Sequence, residues 1–276
     1  MEGSVGDRSP LETARRATGL SLAIFVGGNV GLATVGVAIL ARLPTIGELV
    51  WPAAPGPLAI ATVVRLIVGG VLILWLGKLR FEDIGLVWNR VGPGIVLSLL
   101  IWGLAQPIDL ALALARGGGV EIQPSWRDLA AASPVLGRLM SQTFAAALVE
   151  EVSLRGYLLP QIYLFLADRW AGRPRLRRYL ALAISQALFA GLHVPFLLWA
   201  GVPGANLAFI LPIIFVFGLL FSAVYLWTGN LFLAMGSHAL LTATTPVFAG
   251  GVPVLSMLAG TVLVLVGIEL RKRASA

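Results

Sequence analysis

Two adjacent glutamates and an arginine lie within an apolar stretch of this 276-residue chain: Glu150, Glu151 and Arg155. A charge at the centre of a bilayer costs on the order of 2.5–3.5 kcal/mol, so three such charges require mutual pairing or a function. At helical spacing, Arg155 lies one turn from Glu151 on the same face, and Glu150 points about a quarter-turn away. We predict that Arg155 neutralises Glu151. The simplest alternative is a buried ion pair that fixes helix register, but one arginine leaves the second carboxylate to bind a metal, share a proton or act as a base.

Both histidines of the chain, His193 and His238, also fall within apolar stretches. A single intramembrane histidine more often bonds a neighbouring helix than binds a ligand. Two of them, on helices other than the one that carries the glutamates, predict a convergent site. The chain has no cysteine, which excludes a thiolate nucleophile and cysteine-ligated metals. Asp109 and Glu269 lie near predicted span ends, where a solvated or capping role is expected.

Transmembrane helices must position these residues, because 58% of the chain is hydrophobic and only 12% is charged. We predict an all-α polytopic membrane bundle of about eight transmembrane helices, with the site between helices. The fourth span is long and contains Pro160, which predicts a tilted or broken helix. The predicted spans are Leu20–Ala41, Leu58–Gly77, Gly92–Ala115, Val135–Leu166, Leu180–Ala200, Leu207–Trp227, Leu231–Gly250 and Val254–Leu270.

The distribution of lysine and arginine predicts the orientation of these spans. With the N-terminus inside, fourteen of the 20 lysines and arginines fall in inner segments and four in outer ones. The positive-inside rule then places both termini in the cytoplasm. The expected organisation is a cytoplasmic tail (1–19), one membrane domain (20–270) and a basic cytoplasmic tail (271–276). The net charge of +7 reflects this anchoring, and no nucleic-acid partner is expected, because basic residues do not interleave with aromatics in a stripe.

The ordered motifs resemble those of the CAAX-protease and bacteriocin-processing family of intramembrane proteases, also called the Abi family. That family carries Glu-Glu-x-x-x-Arg, Phe-x-x-x-His and His-x-x-x-Asn on successive helices. The corresponding residues here are Glu150, Glu151 and Arg155; Phe189 and His193; and His238 and Thr242. The Arg-Gly-Tyr-Leu-Leu-Pro continuation at 155–160 and the Phe-Glu-Asp-Ile-Gly-Leu segment at 81–86 also fit, so the resemblance covers about 81–248. Thr242 departs from the pattern, since it replaces a two-donor amide by a one-donor hydroxyl.

The resemblance implies peptide-bond hydrolysis by an activated water, in the manner of type II CAAX prenyl endopeptidases. Glu150 would be the general base, with Glu151 kept ionised by Arg155. His193 would help to hold the water, and His238, aided by Thr242, would stabilise the oxyanion. A metalloprotease version stays open, in which Glu150, His193 and His238 bind a divalent metal such as zinc. The expected partners are membrane lipids and a peptide or membrane-protein substrate that carries a lipid in some cases, in a bacterial plasma membrane.

Two other classes of function remain alternatives at this point. A transporter or proton relay also uses intramembrane glutamate, arginine and histidine, but it predicts a polar trail and repeated halves, and neither is visible. A non-catalytic immunity or scaffold protein of the same fold would account for the departure at Thr242. Cleavage of a peptide by the purified protein distinguishes the protease from both.

Overall fold

The computed structural model describes residues 9–31, 67 and 69–275. Those residues form helices joined by turns, and within them a single isolated antiparallel bridge joins Ile122 and Phe248. This confirms the predicted all-α membrane fold. The α-helices of the described residues are α1 (Pro10–Thr13), α2 (Gly19–Gly31), α3 (Val91–Ala115), α4 (Leu129–Ser141), α5 (Leu148–Glu150), α6 (Leu159–Phe165), α7 (Pro174–Leu192), α8 (Val194–Trp199), α9 (Gly204–Thr228), α10 (Leu231–Thr242) and α11 (Pro253–Ala274).

Four helical stretches in the described part of the chain are long and apolar enough to cross a membrane. They correspond to the predicted third, fifth, sixth and eighth spans, and the protein is an integral membrane protein. About half of each of the first two predicted spans lies outside the described residues, so the count of eight stays a prediction. The four stretches are Trp88–Ala115, Pro174–Trp199, Gly204–Thr228 and Pro253–Ala274.

The fourth predicted span is helical but irregular. Two π-helical segments, Gln142–Ala147 and Glu151–Leu158, alternate with α4, α5 and α6 without an intervening loop. A π-turn widens the helix by one residue and is frequent at functional sites. The irregularity precedes Pro160, which lies in the first turn of α6. The candidate glutamates therefore sit where the helix changes its winding.

The seventh predicted span is shorter than expected, because α10 ends at Thr242 and does not reach Gly250. Side chains from elsewhere in the chain bind the backbone that follows. Trp102 Nε1 donates to the carbonyl oxygen of Thr245 over 3.1 Å, and the backbone N–H of Val247 donates to Gln106 Oε1 over 2.8 Å. Pro246 has no N–H with which to continue a helix. These bonds replace helical ones, so the segment after Thr242 is a structured loop.

The chain divides into two compact units, and the first comprises Met1–Val87 and Val149–Leu231. Its core is apolar and includes Tyr157 and Phe25, whose rings meet edge to face with centroids 4.7 Å apart. Tyr157 Oη and Ser21 Oγ are hydrogen-bonded over 2.9 Å. A methyl group on Gly156 would collide with the carbonyl oxygen of Ile84. The Arg-Gly-Tyr motif and the segment at 81–86 therefore pack directly on one another.

The second unit comprises Trp88–Leu148 and Phe232–Ala276. Within it α11 packs closely on α3, since a Cβ on Gly260 would lie 2.7 Å from the carbonyl oxygen of Ile101. The expectation for Asp109 is wrong: its side chain is buried, and Ser256 Oγ donates to Asp109 Oδ1 over 2.9 Å. Asp109 is near the end of the predicted third span, but α11 packs over it and excludes solvent. Glu269 is partly exposed as expected and accepts a bond from Arg273 Nε over 2.9 Å.

Candidate active site

The Arg155 side chain makes four hydrogen bonds within the first unit. Arg155 and Glu151 have no exposed side-chain surface, and Nη1 of Arg155 lies 3.1 Å from Glu151 Oε1, so the predicted pairing is present. Arg155 Nη2 donates to Gln186 Oε1 over 3.0 Å and to the carbonyl oxygen of Gly218 over 2.9 Å. Its Nε donates to Ser222 Oγ over 3.3 Å. A buried charge needs such compensation. Arg155 thus joins the glutamate segment to α7 and α9.

Aromatic and glycine residues complete the surroundings of this arginine. The guanidinium lies 4.5 Å from the ring centroid of Phe189 and 5.6 Å from that of Phe221, within the range of cation–π attraction. A Cβ on Gly218 would lie 2.8 Å from Phe189 Cδ1 and would collide with Gln186 Oε1. Only glycine at 218 lets α9 approach the arginine this closely. These contacts fix the positions of the Arg155 and Glu151 side chains.

Glu150 has a different environment from its neighbour. Its side chain is half-buried and lines an open pocket within the first unit. The other walls come mainly from apolar residues, including Phe25 and Val26 of α2 and Leu188 and Leu192 of α7. The adjacent glutamates thus separate into one carboxylate locked to an arginine and one carboxylate at an apolar pocket.

His193 is the residue between α7 and α8. Its Nδ1 lies 2.8 Å from the carbonyl oxygen of Phe189, and its ring meets the Phe189 ring edge to face with centroids 4.8 Å apart. A carbonyl only accepts, so in the neutral ring Nδ1 carries the hydrogen and Nε2 presents a lone pair. The Phe189 ring therefore contacts both Arg155 and His193. His193 follows Leu192 of the pocket wall without lining the pocket itself.

His238 and Thr242 belong to the second unit, where both lie on α10. His238 is buried, whereas Thr242 is exposed. Thr242 Oγ1 donates to the carbonyl oxygen of His238 over 2.8 Å. Helical threonines commonly make this bond to the preceding turn. The one donor expected to serve an oxyanion is therefore already used within the helix. The convergence of these two residues with Glu150 and His193 stays a prediction.

The metal alternative has no ligand set in the described part of the chain. Among residues 9–31, 67 and 69–275, no three histidine, aspartate or glutamate side chains form a group that could hold a metal ion. A catalytic zinc site uses three protein ligands and an open position. We therefore derive no catalytic step through a metal held by Glu150, His193 and His238.

A comparison with protein families supports the resemblance that these motifs suggest. Residues 132–244 match the family model described as "Type II CAAX prenyl endopeptidase Rce1-like". The match covers 113 of the 276 residues and supports the resemblance to the CAAX-protease family. No curated protein and no solved structure matches the chain. The matched segment contains all six candidate residues, Glu150, Glu151, Arg155, His193, His238 and Thr242. Helix α2, which supplies part of the pocket wall beside Glu150, lies outside it.

Sequence reasoning missed three polar residues that support the Rce1-like site. Gln186 and Ser222 bind Arg155, and Asn29 lines the Glu150 pocket while its Nδ2 donates to the carbonyl oxygen of Phe25 over 2.9 Å. All three are neutral polar side chains within apolar stretches. A buried polar group needs a hydrogen-bond partner. A neutral polar residue within an apolar stretch is therefore the feature of the sequence that could have identified these three residues.

Proposed function

We propose that this protein is an intramembrane endopeptidase that hydrolyses a peptide bond with a water activated by Glu150. The match to the Rce1-like family model supports a protease of the CAAX type at the level of the family. The observation that carries the finer assignment is the contrast between the two glutamates: Glu151 is fully buried against Arg155, and Glu150 lines a pocket. A general base must reach the water whose proton it removes.

The proposed reaction begins with a water between Glu150 and the substrate carbonyl. The Glu150 carboxylate takes one proton from this water while the oxygen attacks the carbonyl carbon and forms a tetrahedral intermediate. The same proton then passes from Glu150 to the departing amide nitrogen as the carbon–nitrogen bond breaks. The products are a carboxylic acid and an amine, and Glu150 returns to its ionised form. No covalent acyl-enzyme forms.

The two histidines take separate roles in this proposal. His193 Nε2 accepts a hydrogen bond from the water, because the bond from Nδ1 to the Phe189 carbonyl fixes the tautomer and the ring orientation. His238 stabilises the negative charge that develops on the carbonyl oxygen, a contribution worth about a hundredfold to a thousandfold in rate for one donor. Thr242 adds little, since its hydrogen is bonded within α10.

The pocket beside Glu150 indicates the substrate class. Its walls are apolar apart from Glu150, Asn29 and Ser153. Such a pocket favours an apolar side chain or a lipid group attached to a peptide. We therefore propose a peptide or membrane-protein substrate whose apolar group, lipidated in some substrates, enters this pocket beside the scissile bond.

Val26→Trp is expected to exclude large apolar groups from this pocket. The added ring would fill space beside Glu150, so kcat/KM for a peptide with a large apolar group should fall by at least about tenfold relative to a peptide with a small one. Competition between the two peptides in detergent measures this ratio. Ile24→Trp is the matched control, because Ile24 lies on the same helix, is 41% exposed and does not line the pocket. If the ratio of kcat/KM for the two peptides is the same in Val26→Trp and Ile24→Trp, the pocket does not determine substrate specificity.

Thr242→Val and Thr242→Asn are expected to differ in direction. Valine removes a hydrogen that is already committed to the His238 carbonyl, so turnover should stay within about twofold of wild type. Asparagine brings two N–H donors, of which one remains for the oxyanion, so turnover should rise by about tenfold or more. Initial rates on one peptide measure both effects. A tenfold loss of turnover in Thr242→Val would instead indicate that the Thr242 hydroxyl donates to the oxyanion.

The segment from Asp168 to Arg178, which leads from the end of α6 into the first turns of α7, is expected to be cytoplasmic. It carries five arginines, and Arg16 from the N-terminal segment donates to Asp168 Oδ1 over 2.7 Å, which supports placing both segments on one side. The same bond holds the pKa of the Asp168 carboxyl below its usual range, so the pair remains charged at neutral pH. A reporter fused after Arg175 should be active only in its cytoplasmic form. Activity solely outside would reverse the orientation.

The proposed function is tested by cleavage of a peptide library with purified protein in detergent, run with and without a chelator. Cleavage that persists with the chelator and is lost in Glu150→Gln supports a glutamate-activated water. Loss with the chelator, and rescue by zinc, would favour the metalloprotease version. No cleavage by wild type together with cleavage by Thr242→Asn would indicate a binding or immunity protein of this family.

A further inference from the structure

The second unit contains an open pocket whose lining residues differ from those of the Glu150 pocket. It is lined by the segment before α4, by the second half of α4 and by the chain that follows α10. Its polar walls include Ser125, Arg138 and Thr244, and its apolar walls include Trp126 and Val135. None of its lining residues is acidic.

Three donors in this pocket lack a protein partner. Arg138 is exposed, and Ser125 and Thr244 are partly buried. Among the residues that the structure describes, the Arg138 guanidinium makes no ion pair or side-chain hydrogen bond, and the hydroxyls of Ser125 and Thr244 make no hydrogen bond. Arg155, the arginine of the candidate active site, makes four such bonds in contrast. A guanidinium and two hydroxyls that face one space, with no carboxylate beside them, fit an oxyanion with several acceptor oxygens.

The surroundings of the pocket favour a lipid as the source of that oxyanion. Helix ends at a membrane lie near the level of the lipid phosphates, where tryptophan is enriched. Trp126 lies beside Trp102 with ring centroids 6.3 Å apart, and its Nε1 donates to the Pro246 carbonyl over 2.8 Å. On either side of Arg138 in the chain, α4 exposes Leu136 and Met140 by 39% and 52%. This apolar face would take acyl chains while the pocket holds the headgroup.

We propose that this pocket binds the phosphate of a phospholipid headgroup. Arg138 supplies the charge and two hydrogen bonds, Ser125 and Thr244 supply one each, and Trp126 packs against the glycerol. The site is independent of the proposed peptidase reaction, since neither Glu150 nor a histidine lines it.

The proposal is tested by binding of phosphatidylglycerol to the purified full chain in detergent, followed by native mass spectrometry. Arg138→Gln should weaken binding by about tenfold or more, as expected for loss of charge-assisted bonds. Ser125→Ala with Thr244→Val should weaken it by about threefold to tenfold while the charge remains. Arg127→Gln is the matched control, because Arg127 is exposed like Arg138 and lies in the same unit but does not line the pocket.

Two further ligands separate the sources of the anion. Inorganic phosphate should bind far more weakly than the lipid, and diacylglycerol, which has the chains without the phosphate, should not distinguish Arg138→Gln from wild type. If inorganic phosphate binds as tightly as phosphatidylglycerol, the pocket is a site for a free anion and the lipid assignment is overturned. Equal lipid binding by the Arg127 and Arg138 variants would overturn the site itself, and the double hydroxyl variant decides the matter if Arg138→Gln does not fold.

Discussion

Glu150→Gln is expected to reduce the turnover of a cleaved peptide by about a hundredfold or more. Glutamine keeps the shape of the side chain at the pocket but cannot take a proton from water, and a positioned general base contributes about 10²–10⁴ in rate. The pocket itself should persist, so KM should change much less than kcat. Steady-state kinetics on a single peptide, with the folded fraction matched by size-exclusion chromatography, measure both constants.

Glu82→Gln serves as the control for this substitution. Glu82 is an exposed glutamate of the first unit and does not line the Glu150 pocket, so the same chemical change there should leave both constants unaltered. If Glu150→Gln cleaves as fast as wild type while Glu151→Gln does not, the roles assigned to the two glutamates are reversed.

Glu151→Ala and Arg155→Ala are each expected to lower the free energy of unfolding by about 3–5 kcal/mol. Each change leaves one charge buried without its opposite, and neither side chain has exposed surface through which water could compensate. Loss of Arg155 additionally removes the donor to Gln186 Oε1 and one of the donors to the Gly218 carbonyl, which keeps its bond from Ser222 Oγ. Denaturant titration of the protein in detergent measures the effect.

The Glu269–Arg273 pair is the matched control, because it has the same spacing of four residues but is 30% and 75% exposed. Its alanine variants should cost no more than about 0.5 kcal/mol. Glu150→Gln should also be mild, since that carboxylate is only half-buried. Equal destabilisation by the Glu150 and Glu151 variants would show that both glutamates are structural, and the contrast on which the proposed function depends would be lost.

The pairing of Glu151 with Arg155 could be predicted from the sequence because it is local. Residues four apart meet on one side of a helix, and they still meet in the π-helical winding found here. The membrane character of the chain was equally readable, since it depends on composition and on the length of apolar stretches. The motifs also indicated the family, because their order and spacing are properties of the chain alone.

Contacts between distant segments decided the rest. The partners of Arg155 on α7 and α9, the α2 wall of the Glu150 pocket and the burial of Asp109 all arise from residues far apart in sequence. The end of α10 at Thr242 depends on Trp102 and Gln106, which bind the backbone that follows. Helical periodicity fixes which residues share a face, whereas the identity of the opposing helix, and thus whether a polar group is satisfied, exists only once the helices pack.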